Sequence, residues 1–415
     1  MKEKKELVIC VDCGYSSIKV IVNGMLISKK KKGYVPIGSE VVPIDSQTEF
    51  VQDKSNDYIE VDYMGAKYLI GDYARNLLLE TKWKEKQDFI KDAQQSYDRF
   101  TSNQFEVSLI GCIGYGIIKY CEFVQINKNK LEPVDVITIE ELPYVDIYLA
   151  LAVPHSMYKT RKEGSVPTLI KKIFREHDYE MQIGNKRYNL KYTIHNEPTK
   201  RMIQSQAIAA FAGAIIPDDE TGETAGKTQI DPMKVPILII DGGYKTIGLF
   251  RLTRGGVVQD DESNVDYSMS VIDDKIEEEL ARLGRDDIKS YNIETLANNP
   301  AERVIQVKEG DSWVDYDLLE ARNRYAEELC KEFIMYLNSK FNCFKDVKQV
   351  FITGGTGAMY YEMLKEYIEE KTSMRGPIEL AQYKMNRQNV DAVYSIAAGL
   401  SKQFKQFLEL HSKEG

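Results

Sequence analysis

The stretch "LVICVDCGYSSIKVIV", residues 7–22, places a carboxylate where an apolar run gives way to a glycine turn. The run ends at Asp12, turns at Gly14 through small hydroxylated residues, and resumes as "IKVIV". The pattern returns in the second half as "ILIIDGGYKTIGLF", residues 237–250, with Asp241 before the glycines. Two strand–turn–strand segments of matching chemistry indicate that both turns serve one function.

A glycine turn between strands exposes consecutive backbone N–H groups, which can bind anionic oxygens such as those of phosphate. Hydroxyl donors and one ammonium group accompany the two turns: Ser16, Ser17, Lys19 and Thr246. Asp12 and Asp241 would repel phosphate in direct contact. They fit a site in which a hydrated Mg²⁺ lies between carboxylate and phosphate, because Mg²⁺ keeps several waters and uses few carboxylates.

A third glycine turn, "TGGTGA" at residues 353–358, follows the apolar run "QVFI" and precedes a helical pattern. Bare backbone at these glycines would let a flat ring or a ribose approach closely. An Asp-Gly turn alone is most often ordinary hairpin chemistry. Two matched turns followed by a strand–GGTG–helix segment are far more specific for nucleotide binding.

Length and composition limit the class of protein. A chain of 415 residues is too long for one core, so two domains are expected. With 43% hydrophobic and 29% charged residues it reads as soluble and globular, with apolar runs shorter than the ~20 residues of a membrane helix. Its net charge of −9 argues against direct nucleic-acid binding. Six cysteines in this length suit a reducing cytoplasm.

Turn chemistry and hydrophobic periodicity predict the main elements. These are hairpins over 7–23 and 57–74, a buried strand in 145–154, a half-buried strand in 186–194, and charged helices in 268–345. Pro198 and Gly213 are placed to begin and end a further helix. The small residues 397–399 predict that the last helix packs closely on a neighbour.

Two motifs look functional but are interpreted otherwise. "GETAGKT", residues 222–228, has three residues between its glycines where a phosphate loop has four, and neither a strand nor a helix flanks it. It lies in a polar loop, 216–234. Cys10 and Cys13 form a single C-x-x-C at a strand end, without the second pair that a zinc site needs. They are interpreted as structural.

The three turns resemble, in order, the phosphate-1, phosphate-2 and adenosine motifs of the actin, Hsp70 and sugar-kinase superfamily. Within it the sequence is most similar to the bacterial plasmid-segregating actins of the ParM type. The segments that carry this similarity are "YLIGDYA" (68–74), "LAVPHSMY" (151–158), "NEPTKRMIQSQAIAAF" (196–211) and "DAVYSIAAGLSK" (391–402).

The resemblance implies an α/β, two-domain, actin-like (ribonuclease H-like) fold with a nucleotide cleft between the domains. Domain I would span 1–195, with a small subdomain at about 36–100. Domain II would span 196–388, with a helical subdomain at about 256–345. The segment 389–415 would return to domain I as a helix.

The resemblance also assigns residues to an ATP/ADP and Mg²⁺ site. Asp12 and Asp241 would act through water on Mg²⁺, and the catalytic glutamate falls on Glu197. The expected nucleotide contacts are Gly14, Tyr15, Ser16, Ser17, Lys19, Gly242, Gly243, Thr246, Gly354, Gly355 and Thr356. Tyr15 stands where actins place a phosphate-binding serine, so that contact would come from the backbone or from Ser16.

The function implied is ATP hydrolysis that drives dynamic polymerisation in the cytoplasm, for plasmid segregation through a DNA-binding adaptor and without a membrane. A small-molecule kinase of the same superfamily is the main alternative, although the sequence shows no strong acceptor pocket. An Hsp70-like chaperone would need a peptide-binding domain after the ATPase. A catalytically inactive actin would be expected to lose the two aspartates, and both are present.

Overall fold

A computed structural model describes most of the chain, and everything below concerns the residues that it describes. These are 5–14, 17–27, 37–38, 41–44, 58–79, 97–132, 136–159, 164–216, 236–253, 258–264, 266–372, 374, 376–380, 383–385 and 388–412. The chain divides into two compact units. Unit 1 comprises Met1–Glu223, Lys384–Val390 and Ile396–Gly415, and unit 2 comprises Thr224–Tyr383 and Asp391–Ser395. The exact domain boundaries expected from the sequence stay predictions.

Unit 1 contains two sheets. Its strands are β1 Glu6–Cys13, β2 Ser17–Val22, β3 Met25–Leu26, β4 Ile37–Gly38, β5 Val41–Ile44, β6 Ile59–Tyr63, β7 Ala66–Ile70, β8 Asp146–Val153, β9 Glu176–Ile183, β10 Lys186–Thr193 and β11 Arg201–Ser205. The first sheet has the order β11-β8-β1-β2-β3, with β4 on β2, and the second has the order β10-β9-β6-β7-β5. Strand β1 is parallel to β8 and antiparallel to β2. The first sheet is therefore mixed.

The helices of unit 1 are α1 Asp72–Leu79, α2 Asn103–Asn127, α3 His155–Lys159, α4 Ser165–Ile173, α5 Gln206–Ile215 and, apart from its first residue, α10 Ser395–Ser412. A short hairpin, β19 Tyr383–Met385 with β20 Gln388–Val390, precedes α10. Glycines of α2 let the helix contact both sheets. A Cβ on Gly114 would lie 2.2 Å from the Tyr179 hydroxyl, and one on Gly116 would lie 2.9 Å from Val20.

The same helix explains why one segment of the described chain is apolar enough to cross a membrane. Residues 103–130 pass that test by length and composition, yet 83% of their most apolar window is buried inside the protein. Ser102 begins the helix as its N-cap by accepting a hydrogen bond from the Phe105 amide. The apolar surface of α2 is thus buried against two sheets, and this burial explains why the helix is so apolar.

Unit 2 repeats the central pattern of unit 1. Its strands are β12 Ile237–Gly242, β13 Ile247–Leu252, β14 Val258–Asn264, β15 Val304–Glu309, β16 Ser312–Asp317, β17 Gln349–Thr353 and β18 Ile378–Leu380. Its helices are α6 Met269–Arg282, α7 Ser290–Ala297, α8 Leu318–Lys340 and α9 Gly355–Lys371. The sheet order is β14-β13-β12-β17-β18. Strand β12 is antiparallel to β13 and parallel to β17, just as β1 is to β2 and β8.

Most local predictions are confirmed. The hairpin of β2 with β3 turns at Asn23-Gly24 and that of β6 with β7 turns at Met64-Gly65, and all four residues have positive φ, as such tight turns require. Strand β8 is buried along its whole length, which is typical of a strand with parallel neighbours on both sides. The two sheets built on β1 and β12 are mixed, and with the helices of both units they confirm the α/β part of the expected fold.

Two predictions of local structure are wrong. Pro198 does not begin a helix, because residues 201–205 form strand β11, parallel to β8. The helix begins only at Gln206, after the N-cap Ser205, and continues past Gly213 to Ile215. In the helical region of unit 2, hairpin β15–β16 precedes α8 and was not expected. In each case pairing with a neighbouring strand decides the structure, and sequence periodicity alone does not show it.

Candidate functional site

Asp12 lies at the carboxyl end of β1 and is only 1% exposed. In the antiparallel pairing of β1 with β2 it is directly opposite Lys19. The Lys19 Nζ atom lies 3.3 Å from Asp12 Oδ2. The expectation placed Lys19 at the phosphates, and the structure places its ammonium beside the carboxylate at the same turn.

The second oxygen of Asp12 binds a residue that the sequence analysis missed. Gln206 Nε2 donates a 2.8 Å hydrogen bond to Asp12 Oδ1. Parallel pairing explains the contact: Asp12 and Gln204 are both in register with Ala152 of β8, so α5 begins beside the end of β1. A polar residue directly before an Ala-rich apolar run was the available signal.

The backbone of the first turn is packed too tightly for a side chain at Gly14. A Cβ there would lie 2.5 Å from the Ser17 carbonyl oxygen and 2.7 Å from Lys19 Nζ. Behind the turn, the guanidinium of Arg99, 2% exposed, donates to the carbonyls of Cys13 (2.7 Å) and Gly14 (3.1 Å). This buried positive charge holds the turn and favours an anion next to it. The sequence analysis did not single out Arg99.

Two expected phosphate contacts, Tyr15 and Ser16, lie outside the described residues, and their role stays a prediction. Ser17 is described as the first residue of β2, half-buried and paired with Gly38. Within the first turn the structure therefore brings together Asp12, Gly14, Ser17 and Lys19.

Glu197 is not part of this group. It precedes β11, and because β11 is parallel to β1 through β8, it lies at the edge of the sheet where β1 begins. Its neighbour His195 donates its backbone N–H to Ile147, near the start of β8. The Glu197 carboxylate is 57% exposed and pairs with Lys200 at 3.0 Å. The structure therefore does not bring Glu197 together with Asp12, Gly14, Ser17 and Lys19.

In unit 2 the second and third turns form one structure. Gly243 closes the hairpin turn by donating its N–H to the Thr246 carbonyl at 2.9 Å. A Cβ on Gly354, which has φ +79°, would lie 2.3 Å from the Gly242 carbonyl oxygen. The end of β12 and the start of α9 thus meet backbone to backbone. Asp241, half-buried, lies at this end of β12 in register with Thr353.

Thr356 has a structural part in that contact. Its hydroxyl donates a 2.6 Å hydrogen bond to the Gly243 carbonyl, and the residue is 1% exposed. Its donor is therefore used within the protein. Gly355 is exposed at the first residue of α9. A contact with the nucleoside stays a prediction for Gly354 and Gly355.

A hydrated cation fits the first turn. Asp12 Oδ2 is buried and accepts no hydrogen bond from the described part of the chain, and the Lys19 ammonium is its cationic neighbour. One acceptor oxygen of this kind suits a water of Mg²⁺ rather than direct ligation. The described residues contain no cluster of three or more His, Cys, Asp or Glu that could hold a metal directly.

The C-x-x-C pair is structural, as expected. Cys10 and Cys13 are free and buried, and burial raises the pKa of each thiol to about 12. Neither is a nucleophile at neutral pH. The phosphate-loop lookalike at 222–228 lies outside the described residues.

Each unit contains a hairpin, a strand parallel to it and a glycine turn, and solved structures of actin-like proteins have the same fold. The chain matches the actin-like protein Alp7A at 14% identity, with a TM-score of 0.63 over 99% of each chain. It matches a 15-stranded ParM filament from Clostridium botulinum at 15% identity, with a TM-score of 0.60 over 97% of this chain and 99% of that one. The archaeal actin homologue Ta0583 matches at 12% identity, with a TM-score of 0.54 over 96% and 99%. No protein-family model and no curated protein matches the sequence.

Proposed function

We propose that this chain binds ATP with Mg²⁺, assembles into filaments and hydrolyses ATP to make that assembly dynamic. The observation that carries the proposal is the buried Asp12, held by Gln206 at 2.8 Å and by Lys19 at 3.3 Å beside a glycine turn. The actin-like fold supports it. So do the matched structures of a ParM filament and an Alp12 filament.

In this proposal each residue at the first turn has a separate task. The turn amides and Lys19 hold phosphate oxygens, since the flexible lysine stem lets its ammonium move from carboxylate to phosphate. Asp12 and Gln206 orient the attacking water. Asp12 lies at the end of β1, Gln206 lies at the start of α5, and the hydrogen bond between them fixes both side chains. Bound Mg²⁺ would neutralise charge on the phosphates.

Unit 2 contributes through the second and third turns. Asp241 corresponds to Asp12, and the amides at Gly242 and Gly243 with the Thr246 hydroxyl correspond to the phosphate contacts of unit 1. Gly354 and Gly355 would accept the nucleoside against bare backbone. The specific role we propose is plasmid segregation in the cytoplasm, through a DNA-binding adaptor, because the sequence resembles the ParM-type actins.

The test is to add Mg-ATP to the purified protein and follow light scattering and phosphate release, with electron microscopy of the product. We expect scattering to rise and filaments to form. Asp12→Ala and Asp241→Ala should each reduce hydrolysis at least about 100-fold, because water and metal lose their anchors. Asp311→Ala, at an exposed turn of the β15–β16 hairpin, is the matched control and should behave as wild type.

Two outcomes would contradict the proposal. Unchanged turnover in both aspartate variants would show that Asp12 and Asp241 are not needed for ATP hydrolysis. If a sugar or polyol acceptor stimulates ATP consumption and no filaments form, the protein is a small-molecule kinase instead.

A further inference from the structure

Tyr244 attaches the second turn to helix α6 of unit 2. Its backbone carbonyl accepts a 2.8 Å hydrogen bond from the Ser270 amide in the first turn of α6. Its phenol donates a 3.1 Å hydrogen bond to Asp273 Oδ2, one turn further along the same helix. Tyr244 is therefore hydrogen-bonded to α6 through both its main chain and its side chain.

Asp273 in turn connects α6 to α8. Arg322 Nε donates to Asp273 Oδ1 at 2.8 Å, and Arg322 Nη2 donates to Asp273 Oδ2 at 3.4 Å. Asp273 is 0% and Arg322 is 4% exposed, so the pair is shielded from solvent. A buried ion pair of this kind tolerates few geometries, because moving one partner leaves the other charge without compensation.

The pKa of the Tyr244 phenol agrees with a lasting hydrogen bond from its hydroxyl to Asp273. Burial, and then Asp273, raise the pKa of the Tyr244 phenol well above its ordinary value, so it stays a donor. Burial raises the pKa of Asp273; Arg322 acts against this rise and Glu294 of α7 adds to it. The Tyr244 hydroxyl is a donor that offsets the cost of keeping this carboxylate buried.

We propose that Tyr244 is a positioning residue that couples ATP binding at the second turn to the packing of α6 against α8. The inference rests on the proposed function for its ligand, and on the contacts above for its mechanism. Thr356 holds the turn on its other side through the Gly243 carbonyl. The turn between Asp241 and Thr246 is thus set by two helices, α9 through Thr356 and α6 through Tyr244. Coupling of this kind is reciprocal, so ATP would also stabilise the packing of α6 on α8.

Tyr244→Phe tests the coupling, and Tyr316→Phe is its matched control. Tyr316 also donates to a carboxylate of α6, Glu279, at 2.5 Å, but it belongs to β16 and not to the turn. We expect Tyr244→Phe to raise the KM for ATP about tenfold, with a smaller change in kcat. Tyr316→Phe should leave the KM unchanged. If Tyr244 has only a structural role, both variants will lose thermal stability and neither will change the KM.

A readout without nucleotide separates this inference from the proposed function. Amide hydrogen exchange should accelerate at 243–246 and in the first turn of α6 in Tyr244→Phe, and not in Tyr316→Phe. If the wild-type protein fails to bind ATP and the two variants still differ in this way, the proposed function is wrong and the link between the turn and α6 stands. Equal exchange at the turn in both variants overturns the inference.

A double-variant cycle tests whether Tyr244 acts through Asp273. Asp273→Asn keeps the size of the side chain and removes its charge. If the two residues act as one unit, Tyr244→Phe combined with Asp273→Asn will raise the KM no more than the more severe single variant. Additive increases in the KM would show that Tyr244 does not act through Asp273.

Discussion

Asp12 is a carboxylate almost without access to water, and a buried charge persists only with partners that compensate for lost hydration. Lys19 and Gln206 are those partners, one from the neighbouring strand and one from the start of a helix. The residue is therefore held in one position before any ligand binds. Such preorganisation is what a group that orients water requires.

The contact between Gln206 and Asp12 leads to a prediction at the level of single residues. Gln206→Ala should lower the rate of ATP hydrolysis about 100-fold and change ATP affinity little, because the amide orients rather than binds. Single-turnover phosphate release and an equilibrium titration with labelled ATP measure the two quantities.

Glu197→Ala is the control for this prediction. Glu197 is exposed and lies at the opposite edge of the sheet, so its removal should leave hydrolysis unchanged. A large loss in Glu197→Ala together with full activity in Gln206→Ala would reverse our placement of the two residues.

Among the elements, α10 packs closely on α5. A Cβ on Gly399 of α10 would lie 1.8 Å from the Ala209 carbonyl oxygen. Lys402, one turn later, donates to the Ile216 carbonyl at 3.2 Å, beyond the last turn of α5. A cation is favourable at that end of a helix. The small residues 397–399 predicted this close packing, and the structure confirms it.

Gly399→Ala should therefore destabilise unit 1 by about 2 kcal/mol or more, because the clash is with backbone that cannot rotate away. Urea unfolding followed by circular dichroism gives the change in the free energy of unfolding. Gln406→Ala, an exposed position of the same helix, should change it little. Equal stability of the two variants would show that the helices separate at low cost.

For the molecule as a whole, the loop 216–234 is expected to be dispensable for nucleotide binding. Apart from Ile216 it lies outside the described residues, and the prediction depends on its sequence, which lacks apolar periodicity and carries Pro217 and Pro232. Replacement by a short Gly-Ser linker should change stability by about 1 kcal/mol or less, since loop-closure entropy depends weakly on length. Lys227→Ala should leave ATP affinity unchanged.

Affinity and assembly must be measured separately in the linker variant. Retained ATP binding agrees with the two aspartate turns as the phosphate site, whether or not assembly changes. Loss of ATP binding in a folded linker variant would make the loop the true phosphate site.

Features that depend on neighbouring residues along the chain could be predicted from the sequence. The hairpins at Asn23-Gly24 and Met64-Gly65 follow from residues that adopt positive φ, and the burial of β8 follows from its unbroken apolar run. Strand β11 could not be predicted, because five residues adopt the strand only through pairing with β8. Hairpin β15–β16 was missed although its strands contain β-branched and aromatic residues and flank a turn at Gly310, which is a hairpin signal.

The sequence by itself determined the two aspartate turns and the glycine turn before α9, since each lies within about 15 consecutive residues. The resemblance of these three turns to the actin superfamily implied the fold. Only the tertiary structure decided which side chains meet at those turns. Gln206 is 194 positions from Asp12, and Arg99 is 86 positions from Cys13. Parallel strand pairing brings Gln206 to Asp12, and it carries Glu197, nine residues earlier, to the opposite edge of the sheet. The physical reason is that strand direction and register depend on partners distant in the chain, which no local pattern specifies.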